Sequence, residues 1–459
     1  MPDPLTRAHH LAGTFLENLD DRPARATATF AELVATLGGP LADDPQDPTA
    51  VVDRLAAAVE PGLVRSAGPR YFGFVVGGSV PAAVATDWLV SAWDQNVALH
   101  VMSPAVAALE EVTAGWLLEL LTLPSSASVG FVTGATMANV TALAAARHEV
   151  LRQVGWDVEA QGLQGAPRIT VVAGADAHAS IQQAARLVGL GASTIVPVAA
   201  DQQGRMRPDV LREVLDGVGL PAIVCAQVGN VNTGACDPLH AIADVVGAHG
   251  AWLHVDGAFG LWAAASRNRR HLDAGVERAD SWATDCHKWL NVPYDSGLAL
   301  VAHPAAHRAS MSQTASYLIR GSSAERDGMD WTPEASRRAR AVPVYAALRS
   351  LGRRGLEELI DRCCRLAARM AAYLDAETGV KVMNDVILNQ VLVSFESAVG
   401  QNVTPAVIAE VQAEGTCWTG GTRWLGEPAM RISVSNWRTS EEDIDRSAAA
   451  IIEAFRSQR

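Results

Sequence analysis

The run VGFVTGATMANVTALAAARHEVLRQ, residues 129–153, carries a short apolar strand through a Thr-Gly turn into a long alanine-rich helix. The same alternation repeats outward from it. ITVVAG (169–174) precedes HASIQQAARLVGLG (178–191), and STIVPV (193–198) precedes RPDVLREVLDGV (207–218). PAIVCAQVG (221–229) precedes DPLHAIADVVGAHG (237–250), and AWLHVDGAFG (251–260), ADSWATD (279–285) and SGLALVAH (296–303) complete the series. Short β-rich apolar runs alternating with helical periods predict an α/β fold with a largely parallel sheet.

The flanks read differently. Residues 1 to about 65 suggest helices broken by the turn-rich GGPLADDPQDP. GPRYFGFVVGGSVP follows as an irregular loop, and residues 82–121 return to a helical pattern. Beyond Arg337 a long helical stretch leads to VKVMND, NQVLVSFE and MRISVSN, then a last helix, SEEDIDRSAAAIIEAF. The expected organisation is an N-terminal helical segment over 1–95, a large domain over 96–336 and a small C-terminal α+β domain over 337–459.

Composition excludes several functions. The 459 residues carry a formal charge of −13 and no Lys/Arg-rich block, which argues against nucleic-acid or anionic-membrane partners. The N-terminus has no apolar core of a signal peptide, and no uninterrupted apolar run is long enough for a membrane span. Six cysteines fit neither a disulfide framework nor a metal-ligand spacing, so free thiols, no metal and a cytoplasmic location are expected.

Polar residues just past predicted strand ends carry the chemistry, since open α/β sheets bind ligands there. Gly134 and Ala135 let a ligand approach the backbone, Thr136 adds a hydroxyl, and the helix N-terminus that follows suits a phosphate. Asp256 ends an apolar strand, where a carboxylate needs a partner such as a protonated pyridine nitrogen. Lys288 and Lys381 are the only lysines among 37 basic residues, and Lys381, in the alternating GVKVM, reads as outward-facing. Lys288, behind a histidine and beyond a second strand, is therefore the candidate for imine chemistry. Carboxylate, lysine and phosphate turn together suggest pyridoxal phosphate.

With these residues the chain resembles the group II pyridoxal-phosphate-dependent amino acid decarboxylases, a family that includes the aromatic amino acid and glutamate decarboxylases. The pair HVDGA and HKW is the specific part, and the likeness runs from about Pro69 to the last helix. It implies the fold of type I pyridoxal-phosphate enzymes, the aspartate aminotransferase-like fold, with a mostly parallel mixed sheet in the large domain. It also implies a homodimer. Lys288 resembles the Schiff-base lysine, His287 the adjacent phosphate contact, Asp256 the partner of the ring nitrogen, and Ala258 a neighbour of the ring. His178 resembles the histidine that stacks on the ring. Gly134, Ala135 and Thr136 resemble the phosphate turn, and Asn230 resembles a cofactor contact. Tyr317, followed by leucine, resembles the tyrosine that protonates Cα, and Arg431 the arginine that binds a substrate carboxylate. Phe72, Phe74, Trp88 and Trp93 read as core more than pocket, but Tyr71–Val75, beside glycines, has the best claim to line a substrate site, with Phe72 and Phe74 as its candidates.

The chain departs from the family where an asparagine is usual before the lysine motif. Asp285 stands there, and an acidic side chain beside a phosphate is unfavourable, so Asp285 is expected to point elsewhere. The function expected is decarboxylation of an L-amino acid to its amine, with aromatic or apolar substrates favoured by the lack of a basic cluster. A decarboxylation-dependent aldehyde synthase, an aminotransferase, a carbon–carbon lyase and a non-catalytic scaffold are the alternatives.

Overall fold

Seven short strands form the central sheet: β1 (Ser128–Val132), β2 (Thr170–Gly174), β3 (Val196–Val198), β4 (Ala222–Gln227), β5 (Trp252–Asp256), β6 (Ser281–Asp285) and β7 (Gly297–Val301). Their order is β1-β7-β6-β5-β4-β2-β3. The structure, a computed structural model, describes residues 3–313 and 325–458. Strands β1, β4, β5, β6 and β7 are buried along their whole length, which is why they read as continuous apolar runs.

Strands β3, β2, β4, β5 and β6 run parallel, while β7 is antiparallel to both β6 and β1. The reversal follows from connection length. Residues 286–296 link β6 to β7 without a helix, and a parallel return needs a longer crossover. Lys288 lies in this link, at the carboxyl end of β6. The helix Ala135–Gln153 packs against β5, β6 and β7. Its Ala138, Ala142, Ala145 and Ala146 are fully buried, so small side chains bring the helix close to the strands. Asn139 and Thr141 are the fully buried polar residues of this helix.

A second, antiparallel sheet has the order β10-β11-β9-β8, with β8 (Val380–Val382), β9 (Gln390–Phe395), β10 (Gly420–Trp424) and β11 (Glu427–Ser433). One continuous apolar core reaches from Phe131, Trp282 and Trp289 to Phe395 and Phe455. The long helical stretch after Arg337 is broken: within Ala341–Asp375, Gly352 takes a φ of 61°, a left-handed conformation that glycine adopts at little cost. Lys381 is exposed, as its alternating pattern suggested. Trp88 and Trp93 are not core: they are 40% and 48% exposed on the helix Pro81–Trp93. Sequence spacing alone does not tell a helix face that meets the core from one that meets solvent or another chain. Among the described residues no helix is long and apolar enough to cross a membrane.

One buried ion cluster ties the segment before Arg337 to the helix Pro104–Leu120. Glu110, fully buried, receives Arg337 Nη2 at 2.8 Å and Arg326 Nε at 2.9 Å. Glu110→Ala would leave two guanidinium groups without their shared anion. Urea unfolding should show a loss of about 3–5 kcal/mol; an unchanged midpoint would show that water reaches these arginines freely.

Candidate active site

The carboxyl ends of β4, β5 and β6 bring three polar residues onto one face. Gln227 pairs in register with Asp256, and Asp256 with Ala283, two residues before Asp285. Register partners in parallel strands point to the same side, as do residues two apart. The helix Ala135–Gln153 covers that side, and its first turn meets the link that carries Lys288.

Asp256 is 5% exposed. Its Oδ1 accepts from the Ala258 N–H at 3.1 Å, and its Oδ2 from Asn139 Nδ2 and Ser180 Oγ, each at 3.2 Å. All three donors are neutral, and no ion pair involves Asp256 among the described residues. A buried carboxylate in that state is suited to one more, cationic, partner.

His178 caps the helix Ala179–Leu187: its Nδ1 accepts from the Ser180 N–H at 3.2 Å and lies 2.8 Å from Ser180 Oγ. The cap fixes the ring through Nδ1, and Nε2 is the nitrogen left for a ligand. Burial lowers the His178 pKa; Asp256 opposes the shift, and Lys288 and Arg431 add to it.

Asp285 does not point away. Its Oδ2 lies 2.9 Å from Lys288 Nζ, and its Oδ1 accepts from the Ala135 N–H. The sequence argument weighed only repulsion between two anions; it left out the helix terminus and the lysine, both of which favour a carboxylate here. His287 accepts from the Ser296 N–H through Nδ1 at 3.2 Å and stacks on Tyr294 with centroids 4.2 Å apart. Its Nε2 faces Asp285 Oδ1 at 3.4 Å. Burial lowers the His287 pKa, against the pull of Asp285.

The Gly134 turn is closely packed, and a side chain there would push its neighbours aside. A Cβ there would stand 3.0 Å from His287 Cε1 and 3.2 Å from Asp285 Oδ1. The helix that starts at Ala135 has no side-chain cap, and Thr136 is exposed. The Thr136 hydroxyl and the N–H groups of Thr136 and Met137 have no partner among the described residues, so the turn retains donors for an anion.

The remaining expected residues divide. Arg431, on β11, makes no hydrogen bond or ion pair among the described residues, and burial lowers its pKa. Ala258 is half-buried beside Asp256. Asn230 is 1% exposed and structural in its contacts: its Oδ1 accepts from the Asn232 and Thr233 N–H groups, and its Nδ2 donates to the Asp176 carbonyl. Phe72 is 1% exposed in the main core, not on a cleft wall. Phe74 is 61% exposed and packs on Trp418, which stacks on Tyr71. Phe74 and Val75 both have left-handed φ values, 54° and 59°, a strained conformation for such residues. This segment adjoins the lysine link, since a Cβ on Gly77 would stand 1.7 Å from the Lys288 carbonyl oxygen. Tyr317 lies outside the described residues.

Sequence reasoning passed over Asn139, Ser180, Gln227, Tyr294 and Trp418. Asn139 and Ser180 lie on faces buried by periodicity, where a polar residue needs a partner; that was the available signal. The donor set as a whole fits pyridoxal phosphate: an unpaired buried carboxylate for a ring nitrogen, a lysine, and free N–H groups for a phosphate.

Known proteins agree. Residues 34–397 match the family model described as the pyridoxal-dependent decarboxylase conserved domain. An L-2,4-diaminobutyrate decarboxylase of Rhizobium meliloti (strain 1021) is 31% identical over 389 residues, covering 82% of this chain and 76% of that protein. A phenylacetaldehyde synthase of Arabidopsis thaliana is 24% identical over 450 residues, covering 94% of this chain and 90% of that protein. Among solved structures, Oryza sativa TDC with PLP and tryptamine has a TM-score of 0.92 at 23% identity, over 99% of this chain and 97% of that one. That likeness shows the fold, type I of the pyridoxal-phosphate enzymes. With the family model matched across most of its length, the chain belongs to the pyridoxal-dependent amino acid decarboxylases.

Proposed function

We propose that the cleft at the ends of β5 and β6 takes an aromatic or apolar L-amino acid, and that Lys288, Asp256, His178, Arg431 and Tyr317 divide the work of its decarboxylation. The observation that carries the assignment is Asp256, buried among neutral donors one strand from Lys288. Pyridoxal phosphate, when bound, supplies an aldehyde for an amino group and a protonated ring that takes up the electron pair of a bond broken at Cα. Asp256 holds the ring nitrogen's proton. Gly134, Ala135, Thr136 and His287 hold the phosphate, and Ala258 packs beside the ring. His178 would pack against the ring and exclude water there. Lys288 would hold the cofactor through its amine. Arg431 would bind the substrate carboxylate and fix its orientation. Tyr317 gives Cα its proton once carbon dioxide has left.

The aromatic wall of Tyr71, Phe74 and Trp418, beside the lysine link, supports the substrate class. An internal Glu or Asp side chain on the substrate would meet no described lysine other than Lys288. The six buried free cysteines support a reducing, cytoplasmic setting.

A second copy of the chain completes the enzyme. The helices Pro4–Glu17 and Phe30–Leu37 bury no residue within one chain, and Phe30 and Leu41 are 83% and 96% exposed. Apolar surface of this kind marks an interface, and the N-terminal segment over 1–95 is the part that wraps the partner.

Four experiments test these assignments. Lys288→Ala should lose the visible absorption band of the lysine-bound cofactor, and Lys381→Ala should keep it; a band that survives in the first variant removes Lys288 from its role. Tyr317→Phe keeps the ring and loses the proton, so amine formation should fall by about 10²–10⁴-fold. Dioxygen consumption with release of aldehyde, ammonia and peroxide should rise in the same variant. Amine at the wild-type rate would leave Tyr317 a packing residue, and aldehyde as the main wild-type product would establish the aldehyde-synthase alternative instead. Sedimentation equilibrium should find a dimer that Phe30→Asp weakens, together with turnover; a fully active monomer overturns the interface. A panel of L-tryptophan, L-phenylalanine, L-2,4-diaminobutyrate and L-glutamate, with amine and carbon dioxide measured, decides the substrate class, and turnover of L-glutamate alone would refute it.

A further inference from the structure

We infer that a chain of side-chain hydrogen bonds from Trp252 through Ser281, His254 and Asn139 sets which end of the Asn139 amide faces Asp256, making Asn139 and His254 positioning residues for the reaction. The inference rests on Asp256 being the partner of the ring nitrogen.

The sequence builds the chain by alternation. In AWLHVDG, Trp252, His254 and Asp256 occupy every second position of β5 and so share one face. Ser281, the first residue of β6, is the register partner of His254, and Asn139 descends from the helix that covers this face. Trp252 Nε1 lies 2.9 Å from Ser281 Oγ, Ser281 Oγ 3.0 Å from His254 Nδ1, His254 Nε2 2.8 Å from Asn139 Oδ1, and Asn139 Nδ2 3.2 Å from Asp256 Oδ2. Ser281, His254 and Asn139 are fully buried, so water does not substitute for any member.

Donor and acceptor chemistry gives the chain one polarity. An indole N–H only donates, so Ser281 Oγ accepts from Trp252; were it to accept from His254 as well, its buried O–H would have no acceptor among the described residues, so its single proton goes to His254 Nδ1. The imidazole, neutral, then carries its proton on Nε2 and donates it to Asn139 Oδ1. The amide oxygen is thereby pinned, and the NH₂ group turns to Asp256 and to Ser180 Oγ, 3.1 Å away. The other end demands the same order, because a carboxylate only accepts. Reversing the amide would set two oxygens against each other in a dry site and take one of the three donors from Asp256. The carboxylate would then lose the contact that fixes its position for a ring nitrogen.

The surroundings keep the relay neutral. Burial pushes the His254 pKa down to about 4, although Asp256 pulls the other way. The other titratable groups around this face are His178, Lys288, Asp285 and Cys225, and burial raises the Cys225 thiol well above its usual range. His254 therefore adds orientation without adding charge.

The test uses the cofactor-loaded enzyme and follows the pH dependence of its visible band, a readout that simple loss of packing does not move. Asn139→Leu and His254→Phe should shift that profile and lower kcat about tenfold or more with KM little changed, as expected for losing one donor to a charged group. His254→Gln, which keeps an N–H for Asn139 Oδ1, should restore most of the profile. Ser281→Ala removes only one hydroxyl and serves if the larger changes impair folding; it should shift the profile in the same direction. In the cofactor-free protein, the downfield proton resonance of the His254 Nε2–H should shift in Ser281→Ala, which removes the donor to Nδ1. Asp256→Asn is the control for the parent assignment: if it leaves the band unchanged, Asp256 is not the ring partner. If Asp256→Asn shifts the band while Asn139→Leu, His254→Phe and Ser281→Ala all keep the wild-type profile, the relay has no role.

Discussion

A carboxylate held out of water without a cation is the constraint around which this site is organised. Asp256 ends a strand that is buried along its length, and desolvation there is tolerated only because three neutral donors converge on it. Each donor comes from a different element: Asn139 from the helix after β1, Ser180 from the helix after β2, and the Ala258 N–H from the turn after β5. The sheet, two of its covering helices and one turn are thus tied to a single side chain. Partial compensation is the functional point. A lysine or arginine in the set would satisfy Asp256 and leave nothing for a ring nitrogen.

The phosphate end follows a different logic. Asp285 bridges the first N–H of the helix Ala135–Gln153 and the amine of Lys288. A helix N-terminus carries partial positive charge, so an anionic side chain there is stabilising in its own right. The same contact draws the lysine link down onto the Gly134 turn, where Gly297 also packs; a Cβ on Gly297 would stand 2.5 Å from Gly134 Cα. Two glycines, one carboxylate and one lysine therefore fix the distance between the Lys288 amine and the first turn of the helix Ala135–Gln153. Asparagine at 285 could accept from the helix but would not pair with the lysine.

How much of this was legible in the sequence depends on whether a residue's role was local. The parallel strands announced themselves as buried apolar runs, and β7 reversed only because residues 286–296 are too short to cross over. Lys288 stood out because the chain has one other lysine, and Asp256 because a charge at the end of LHVD needs a reason. Asn230 misled, since a turn that closes on its own amide looks in sequence like a turn that offers it to a ligand. Asp285 misled for a tertiary reason: its two partners lie 150 residues upstream and three downstream, and only the first of them belongs to a helix terminus. Asn139 gave a weak signal, a polar residue inside an alanine-rich buried stripe, whose meaning needed the strand beneath it.

The aromatic cluster beside the lysine link is the least local feature of all. It draws on distant parts of the chain. Tyr71 and Phe74 come from the loop after the N-terminal helices, Tyr294 from the lysine link, and Trp418 from the turn before β10. Backbone hydrogen bonds join the first part to the second sheet: the Phe72 N–H donates to the Trp418 carbonyl, and the Ser433 N–H to the Phe72 carbonyl. Phe72 is thus the anchor of the segment, not its contact surface, and its burial is what leaves Phe74 outside. The left-handed φ at Phe74 and Val75 turns the chain sharply over the Lys288 carbonyl, where Gly77 alone can fit. Strain held by such an anchor keeps an exposed aromatic ring in one position beside the lysine link. Alteration of Trp418 would therefore move Tyr71 and Phe74 together, because both rings pack on its indole.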